Sequence, residues 1–399
     1  RRVKGLMPGC TVVFGGHNAS FVDVETLRAF PFVDMVVRGE GEITMRELAD
    51  ALEGGSGVAG VAGVTWRDAA GRIVRNPDRE LIEDLDALPR PAYHLVPPLS
   101  EYASLGRRCT ALVDSGRGCS FNCVFCSNCR LWRHRVRYRS VPAMVEEIAA
   151  LVKMGAREVY LVHDFLTARP AMVEELCRRL IDDGIKVEWQ CRCRVGGMKP
   201  ELLRLMRRAG CTRLLYGVES GSPETLRFIR KKVDFRVLFR VISDTVAAGI
   251  RPSLSFTLGY PGERREDVDK TLRLLLACQM LGRDFSFINL VTPLPGTDLA
   301  RDYLPRLVLA TPNAFSTGLE FDGEKRLPED QELIERYPDI FASFYNIEND
   351  GIPASLFYEL ARIFPGLTQA YCYTYFALCR AAGTGPLRLF EEWRDWVLD

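Results

Sequence analysis

From Cys109 to about Val291 the sequence alternates short apolar runs, rich in β-branched residues, with longer segments of helical periodicity, and this beat leaves few folds open. Strands are expected at Thr110 to Asp114, Glu158 to Val162, Val187 to Gln190, Arg213 to Gly217, Ser253 to Leu258 and Phe285 to Val291. Helices such as Pro142 to Met154 and Met172 to Asp183 lie between them. A crossover of that length returns the chain to the same end of the sheet, so the strands should run parallel under a helical cover. Two architectures meet this requirement, a doubly wound sheet and an open, partial (β/α)6 version of a TIM-like barrel.

The flanks read differently. Thr11-Val-Val-Phe-Gly15-Gly16 and Val33-Asp-Met-Val-Val suggest two strands, with a helix from about Glu42 to Leu52 and a hairpin built on Gly63-Val-Thr-Trp-Arg and Arg72-Ile-Val-Arg. This is a partial Rossmann-like α/β module over residues 1–80. Proline-punctuated Leu85-Asp-Ala-Leu-Pro-Arg-Pro marks a linker over 81–104, the barrel is expected over 105–305, and a helical appendage over 306–399. In the appendage the strand pattern stops beyond Leu304. Helices are expected at Pro328 to Arg336, Pro353 to Ile363 and Gln369 to Ala382, with a last one ending near Trp396.

The strongest chemical signal is Gly118-Cys119-Ser-Phe-Asn-Cys123-Val-Phe-Cys126, placed directly after the first strand of the series. Thiolates are the ligands of iron–sulfur clusters, and three of them leave one iron of a four-iron cluster open to bind another molecule. Zinc is the competing occupant, with Cys129 of Cys126-Ser-Asn-Cys129 as its fourth ligand. Polar or backbone-special residues recur at the later strand ends, where a β/α barrel places its chemistry. They are His163-Asp164-Phe165, Cys191-Arg192-Cys193-Arg194, Glu219-Ser220-Gly221-Ser222, Gly259-Tyr-Pro-Gly262-Glu263 and Thr292-Pro293-Leu-Pro-Gly-Thr297.

The cysteine triplet, with an aromatic residue just before its third member, resembles the signature of the radical S-adenosylmethionine superfamily, and the likeness covers roughly residues 105–300. It implies a [4Fe-4S] cluster on Cys119, Cys123 and Cys126, with S-adenosylmethionine chelated at the open iron and cleaved reductively to a radical that abstracts hydrogen. By their charge and strand-end position, Asp164 or Glu219 would accept from the ammonium or ribose hydroxyls of S-adenosylmethionine, and Arg192 or Arg194 would pair with its carboxylate. On the resemblance, Glu219 and Ser220 fall in the ribose-contacting segment, while Gly259 to Glu263, with Gly262, and Pro293 to Pro295 fall in the adenine-flanking loops. The front piece looks like the second half of the cobalamin-binding domain that often precedes this barrel, with Gly15 and Gly16 letting a large ligand approach the backbone. Upstream strands and a cobalt-ligand motif are missing from that half, so the module is expected to be incomplete, and His17 is not read as a cobalt ligand. Radical modification of an unidentified small molecule or peptide, methylation being one form it can take with cobalamin, with a flavodoxin- or ferredoxin-type donor of single electrons, is the implied activity. The alternatives are a cobalamin-independent member acting on a peptide or RNA, and a non-catalytic zinc or iron–sulfur scaffold.

Composition narrows the setting. Thirteen cysteines, an odd number in a 399-residue chain, suit a reducing compartment and a metal site better than a disulfide framework. No run approaches the roughly 18 apolar residues of a membrane helix, and a cytoplasmic location without membrane attachment is expected. The net charge of +1 gives no general attraction to nucleic acid. Locally, eight arginines face a single acid, Asp114, between residues 107 and 139. An anionic partner such as RNA is one reading of that cluster, and a solvated flank of the cysteine loop is the other and the one preferred.

Overall fold

The computed structural model describes residues 2–97, 99–102, 110–282, 286–309, 315–316, 319–320 and 327–398; the expectations that touch Arg107, Arg108, Cys109 and Phe285 lie outside them. The front piece is a four-stranded sheet of β1 (Val13–Phe14), β2 (Met35–Val37), β3 (Val64–Arg67) and β4 (Ile73–Arg75), in that order. Only β1 and β2 are parallel, so the Rossmann-like character is confined to that pair, and β3 and β4 add antiparallel strands. The hairpin turns at Gly71, whose φ of +79° favours glycine, and the Asp68 carboxylate accepts from the amides of Ala70 and Arg72. Helix α1 (Gly41–Glu53) follows β2 and buries Leu48 and Ala51 against Val37 and Val64.

The central sheet is formed by β5 (Thr110–Asp114), β6 (Glu158–Val162), β7 (Glu188–Cys193), β8 (Cys211–Glu219), β9 (Arg251–Leu258) and β10 (Phe287–Leu290). Every strand pairs in parallel with its neighbour in sequence. A doubly wound sheet reverses its strand order at a switch point, and this one does not, which leaves the partial barrel. Helices α2 (Val141–Lys153), α3 (Pro170–Asp182), α4 (Pro200–Arg208), α5 (Phe235–Ala247) and α6 (Arg265–Leu281) cover the outer face. Sequence sets their starts: Ser140 accepts from the Ala143 amide, and Asp234 from those of Arg236 and Val237.

Strand alternation divides the sheet. Val113, Leu161, Cys191, Leu214, Phe256 and Leu290 pack in one cluster with Ile148, Leu176, Leu203, Ile242 and Leu275 of the helices. Each such fully buried side chain contributes about 1.5–3 kcal/mol. The alternate residues face the lumen and are largely polar, among them Tyr160, Gln190, Arg192, Arg213, Ser255 and Asn289. Closed barrels of this type fill that space with branched apolar layers, so the polar lining here leaves a lumen suited to a polar ligand.

Two expectations for the tail are corrected. Strands do continue beyond Leu304: Leu307–Leu309 pairs antiparallel with Tyr345–Ile347, and Phe315–Ser316 extends the sheet beside β10. The two helices expected around residues 353 to 382 are present within α7 (Ala354–Ala381), but they meet at a kink at the non-helical Tyr371, and the first runs on through Pro365 instead of ending at Ile363. The final helix, α8 (Pro386–Leu398), packs against α6 and α7. Among the described residues no helix is long and apolar enough to cross a membrane.

Candidate metal centre

The cysteine loop leaves β5 through a two-residue strand, Gly116–Arg117, that pairs antiparallel with Arg137–Tyr138. Gly118 must be glycine here. Its φ is +103°, and an added Cβ would lie 1.9 Å from the Arg135 carbonyl oxygen. Cys119, Cys123 and Cys126 follow at the C-terminal end of the barrel, and the described cysteines are all free thiols. Asp164, at the end of β6, braces both sides of the loop, accepting from the Gly118 amide at 3.2 Å and from the Asn128 side chain. The carboxylate expected to face S-adenosylmethionine thus has both oxygens on the loop itself.

The thiols lie close enough to oppose one another's ionisation. Burial pushes Cys126 up to about 12, and Cys129, Asp164 and Cys123 add to the shift; burial likewise raises Cys119, with Asp164 and Cys123 contributing. Yet among the described residues no three His, Cys, Asp or Glu side chains converge on a single ion position. Three cysteines in one short loop would hold a four-iron cluster by one thiolate per iron and leave one iron open. Cys129 is buried and turned to the Cys126 carbonyl at 3.4 Å.

The remaining strand-end residues sort into two groups. Cys191, Arg192 and Cys193, expected after the third strand, lie within β7, because Trp189, Cys191 and Cys193 alternate toward the helices and the strand continues past Gln190. Arg192 and Arg194 therefore share the lumen side, and the Arg194 guanidinium stacks on Phe121 of the cysteine loop, 3.5 Å from the ring centroid. Glu219 closes β8 in the left-handed region at φ +69°, receives Lys231 at 2.7 Å and accepts from Thr257 at 3.0 Å. A Cβ on Gly217 would lie 2.7 Å from the Lys231 ammonium, so that glycine makes room for the ion pair.

The second group is built into the wall. Ser220 is fully buried, bonded to Thr271 and accepting from the Ser222 amide. The turn through Gly259 and Gly262 carries Glu263, whose carboxylate accepts from the Gly259 amide at 2.8 Å. Burial pushes Glu263 up to about 8. Pro293 begins a loop in which Gly296 faces Phe21 of the front piece, where an added Cβ would lie 2.3 Å from the ring.

Gly15 and Gly16 end β1 beside Gly39, which follows β2, and Ser20 ties the two turns by donating to the Gly16 carbonyl and accepting from the Gly39 amide. Gly16 and Gly39 have positive φ and no atom within 4 Å of an added Cβ, so the backbone lies open to approach beyond the carboxyl ends of two parallel strands. Next to it, His17 bonds Ser127 at 2.7 Å, one residue after Cys126, and burial lowers its pKa even though Asp164 acts to raise it.

Each described arginine around the loop is paired with an acid, while Arg130, Arg133 and Arg135 remain exposed to solvent. Glu40, buried at 5% exposure, receives Arg117 at 2.6 Å, Arg137 at 2.8 Å and the Ile82 amide at 2.6 Å. Arg133 pairs with Glu80, Arg135 with Glu83, Arg139 with Glu147 and Arg130 with Asp298. Most of these acids come from the front piece and the segment after it. Sequence reasoning noticed Glu40 only as part of the Gly39-Glu40-Gly41-Glu42 helix start, and missed Lys231 and Tyr160 altogether. No local signal marks a partner that lies 77 or 97 positions away.

Comparison with known proteins agrees with this geometry. Residues 113–275 match the model of the radical SAM superfamily. An uncharacterized methyltransferase of Pyrococcus horikoshii is 32% identical over 311 residues, 78% of this chain and 66% of the relative. The anaerobic magnesium-protoporphyrin IX monomethyl ester cyclase of Rubrivivax gelatinosus is 28% identical, over 75% of this chain and 54% of its own length. The chain therefore spans between about half and two thirds of these curated relatives. Among solved structures, the radical S-adenosylmethionine methyltransferase TsrM from Kitasatospora setae, with cobalamin and a [4Fe-4S] cluster bound, shares the fold at TM-score 0.61 and 16% identity, over 92% of this chain and 83% of that one. The cobalamin-dependent radical enzyme OxsB does so at TM-score 0.64 and 15% identity, over 90% and 52%.

Proposed function

Because the chain belongs to the radical SAM superfamily, we propose that it is an enzyme that cleaves S-adenosylmethionine at a [4Fe-4S] cluster held by Cys119, Cys123 and Cys126 and uses the resulting radical to modify, and most directly to methylate, a small molecule. The observation that carries this reading is the loop itself: three neighbouring thiols at the carboxyl end of a parallel barrel, braced by Asp164, beside a polar lumen. When bound and reduced, the cluster supplies the single electron that breaks the sulfonium bond. The chain's own residues do the rest. Arg194, held on the Phe121 face, presents its guanidinium edge to a carboxylate next to the cysteines. Glu219, at the bulged end of β8, is oriented by Lys231 and Thr257 to accept from hydroxyl or ammonium donors.

A corrinoid fits the open backbone at Gly15, Gly16 and Gly39, and would supply the methyl-carrying chemistry that the names of the methyltransferase relatives suggest. The front piece packs on the cysteine hairpin through Glu40 and on the Pro293–Thr297 loop through Phe21, and these contacts support a corrinoid held near the cluster loop. An external flavodoxin- or ferredoxin-type donor and a reducing cytoplasmic compartment go with this reading. The test is anaerobic reconstitution with iron and sulfide, followed by reduction and measurement of 5′-deoxyadenosine from S-adenosylmethionine. Product from the wild type and none from a variant with all three cysteines changed to Ala is the expected result; equal product from both overturns the assignment.

A further inference from the structure

Inside the barrel, one layer lies below the residues assigned to S-adenosylmethionine. Arg192 of β7 is level with Leu215 of β8, and Leu215 with Ser253 of β9. All three face the lumen, since their neighbours Cys191, Cys193, Leu214, Tyr216 and Leu254 are packed among the helices. The Tyr160 hydroxyl faces the Arg192 guanidinium from β6. Arg192 is exposed, and among the described residues no acid pairs with it, whereas every described arginine of the cysteine hairpin has an acidic partner. Opposite, Ser253 is 1% exposed and its hydroxyl has no partner among the described residues. A buried polar group left unsatisfied costs about 1–3 kcal/mol, so an orphan hydroxyl on the lumen face is a second, independent pointer to a ligand.

We infer that this layer is the substrate subsite, and that the substrate is an anion: a carboxylate or phosphate rests on Arg192 with Tyr160, apolar atoms cover Leu215, and a polar group at the far end bonds Ser253. Two strand spacings separate the ends, roughly 10 Å, which a monocyclic or similarly sized molecule bridges once the side chains reach inward. Arg194 stands two residues further along the strand, roughly 7 Å nearer the cysteines, and remains available to S-adenosylmethionine. The inference rests on the enzyme reading for the word substrate, but the site is a matter of binding alone.

The experiment is titration calorimetry of the full, reconstituted chain without reductant or S-adenosylmethionine, using 4-hydroxybenzoate, phenyl phosphate and the neutral 4-hydroxybenzamide. At least one anion should bind, and the amide should bind tenfold more weakly or worse. Arg192→Gln should weaken the anion about tenfold or more, which is about 1.4 kcal/mol, and Ser253→Ala should weaken 4-hydroxybenzoate severalfold. Preference for the carboxylate or for the phosphate identifies which anion the site takes, and either supports the site. No binding of either anion to the wild type, equal binding of the amide, or unchanged binding to Arg192→Gln overturns it. No turnover is involved, so a chain that binds the anions but makes no 5′-deoxyadenosine refutes the enzyme reading and not the subsite, and the reverse result refutes the subsite alone.

Discussion

Two arginine-bearing regions meet beside the cysteine loop, and they are built on opposite plans. In the hairpin from Arg117 to Arg139 every described arginine is matched by an acid, and two of them converge on the buried Glu40 while stacking over Trp132. On the lumen face of β7, Arg192 and Arg194 meet aromatic groups and no acid among the described residues. Matched charge in a buried setting holds parts of the molecule in one arrangement, because separating the partners strands a desolvated ion. Unmatched charge in an open lumen remains available to a ligand. The same residue type therefore serves as a clamp in one region and as a binding group in the other, and the local acids decide which.

Stability measurements can break that contrast. Glu40→Ala leaves the buried Arg137 without its acid, while Arg117 keeps Glu42 and Asp114, and should cost about 3–5 kcal/mol, seen as a large drop in the urea midpoint; a small drop would mean that the clamp is ornamental. Next in size, Gly118→Ala forces a Cβ toward the Arg135 carbonyl in a left-handed conformation and should cost about 1–3 kcal/mol, with loss of bound iron on reconstitution.

Two pH profiles sharpen the same point. Burial alone would raise Glu40, but Arg137, Arg117 and the Ile82 amide together hold it below the ordinary 4.5. Its contribution is therefore present above 4.5 and is lost as pH falls through the lower folded value, so Glu40→Gln should flatten the acid limb of the stability profile. Glu263 behaves in the opposite sense. Burial raises it to about 8, so the contribution of its neutral form is present below 4.5 and is lost as pH rises through about 8. Thermal unfolding of the wild type should fall between pH 5 and pH 9 more steeply than that of Glu263→Gln. Smallest of all, Arg192→Gln should leave the urea midpoint unchanged, since no acid depends on it; a midpoint as low as that of Glu40→Ala would erase the distinction between the regions.

The barrel was legible because strand alternation and helical periodicity are local signals, and the thiol loop because its spacing is contained within nine residues, Gly118 to Cys126. What escaped is long-range. The third strand runs on to Cys193 because alternate residues there face helices distant in sequence, while Cys-Arg-Cys-Arg on its own reads as a loop. The pairing of Leu307–Leu309 with Tyr345–Ile347 joins three-residue strands whose partners lie about forty positions apart, too short and too separated to leave a pattern. The arginine cluster is solvated at Arg130, Arg133 and Arg135 as expected, but its pairing was not legible because acids such as Glu40, Glu80 and Asp298 sit in other parts of the chain. The polar lumen, by contrast, follows from the strand assignment once the outward face is known.

The most direct test of the central claim is the electron paramagnetic resonance spectrum of the reduced, reconstituted chain before and after addition of S-adenosylmethionine. A four-iron signal, with about four irons per chain, that changes when S-adenosylmethionine is added and is absent from the Cys119, Cys123 and Cys126 to Ala variant is the expected result. A signal indifferent to S-adenosylmethionine, or zinc in place of iron, would contradict an open iron at this loop.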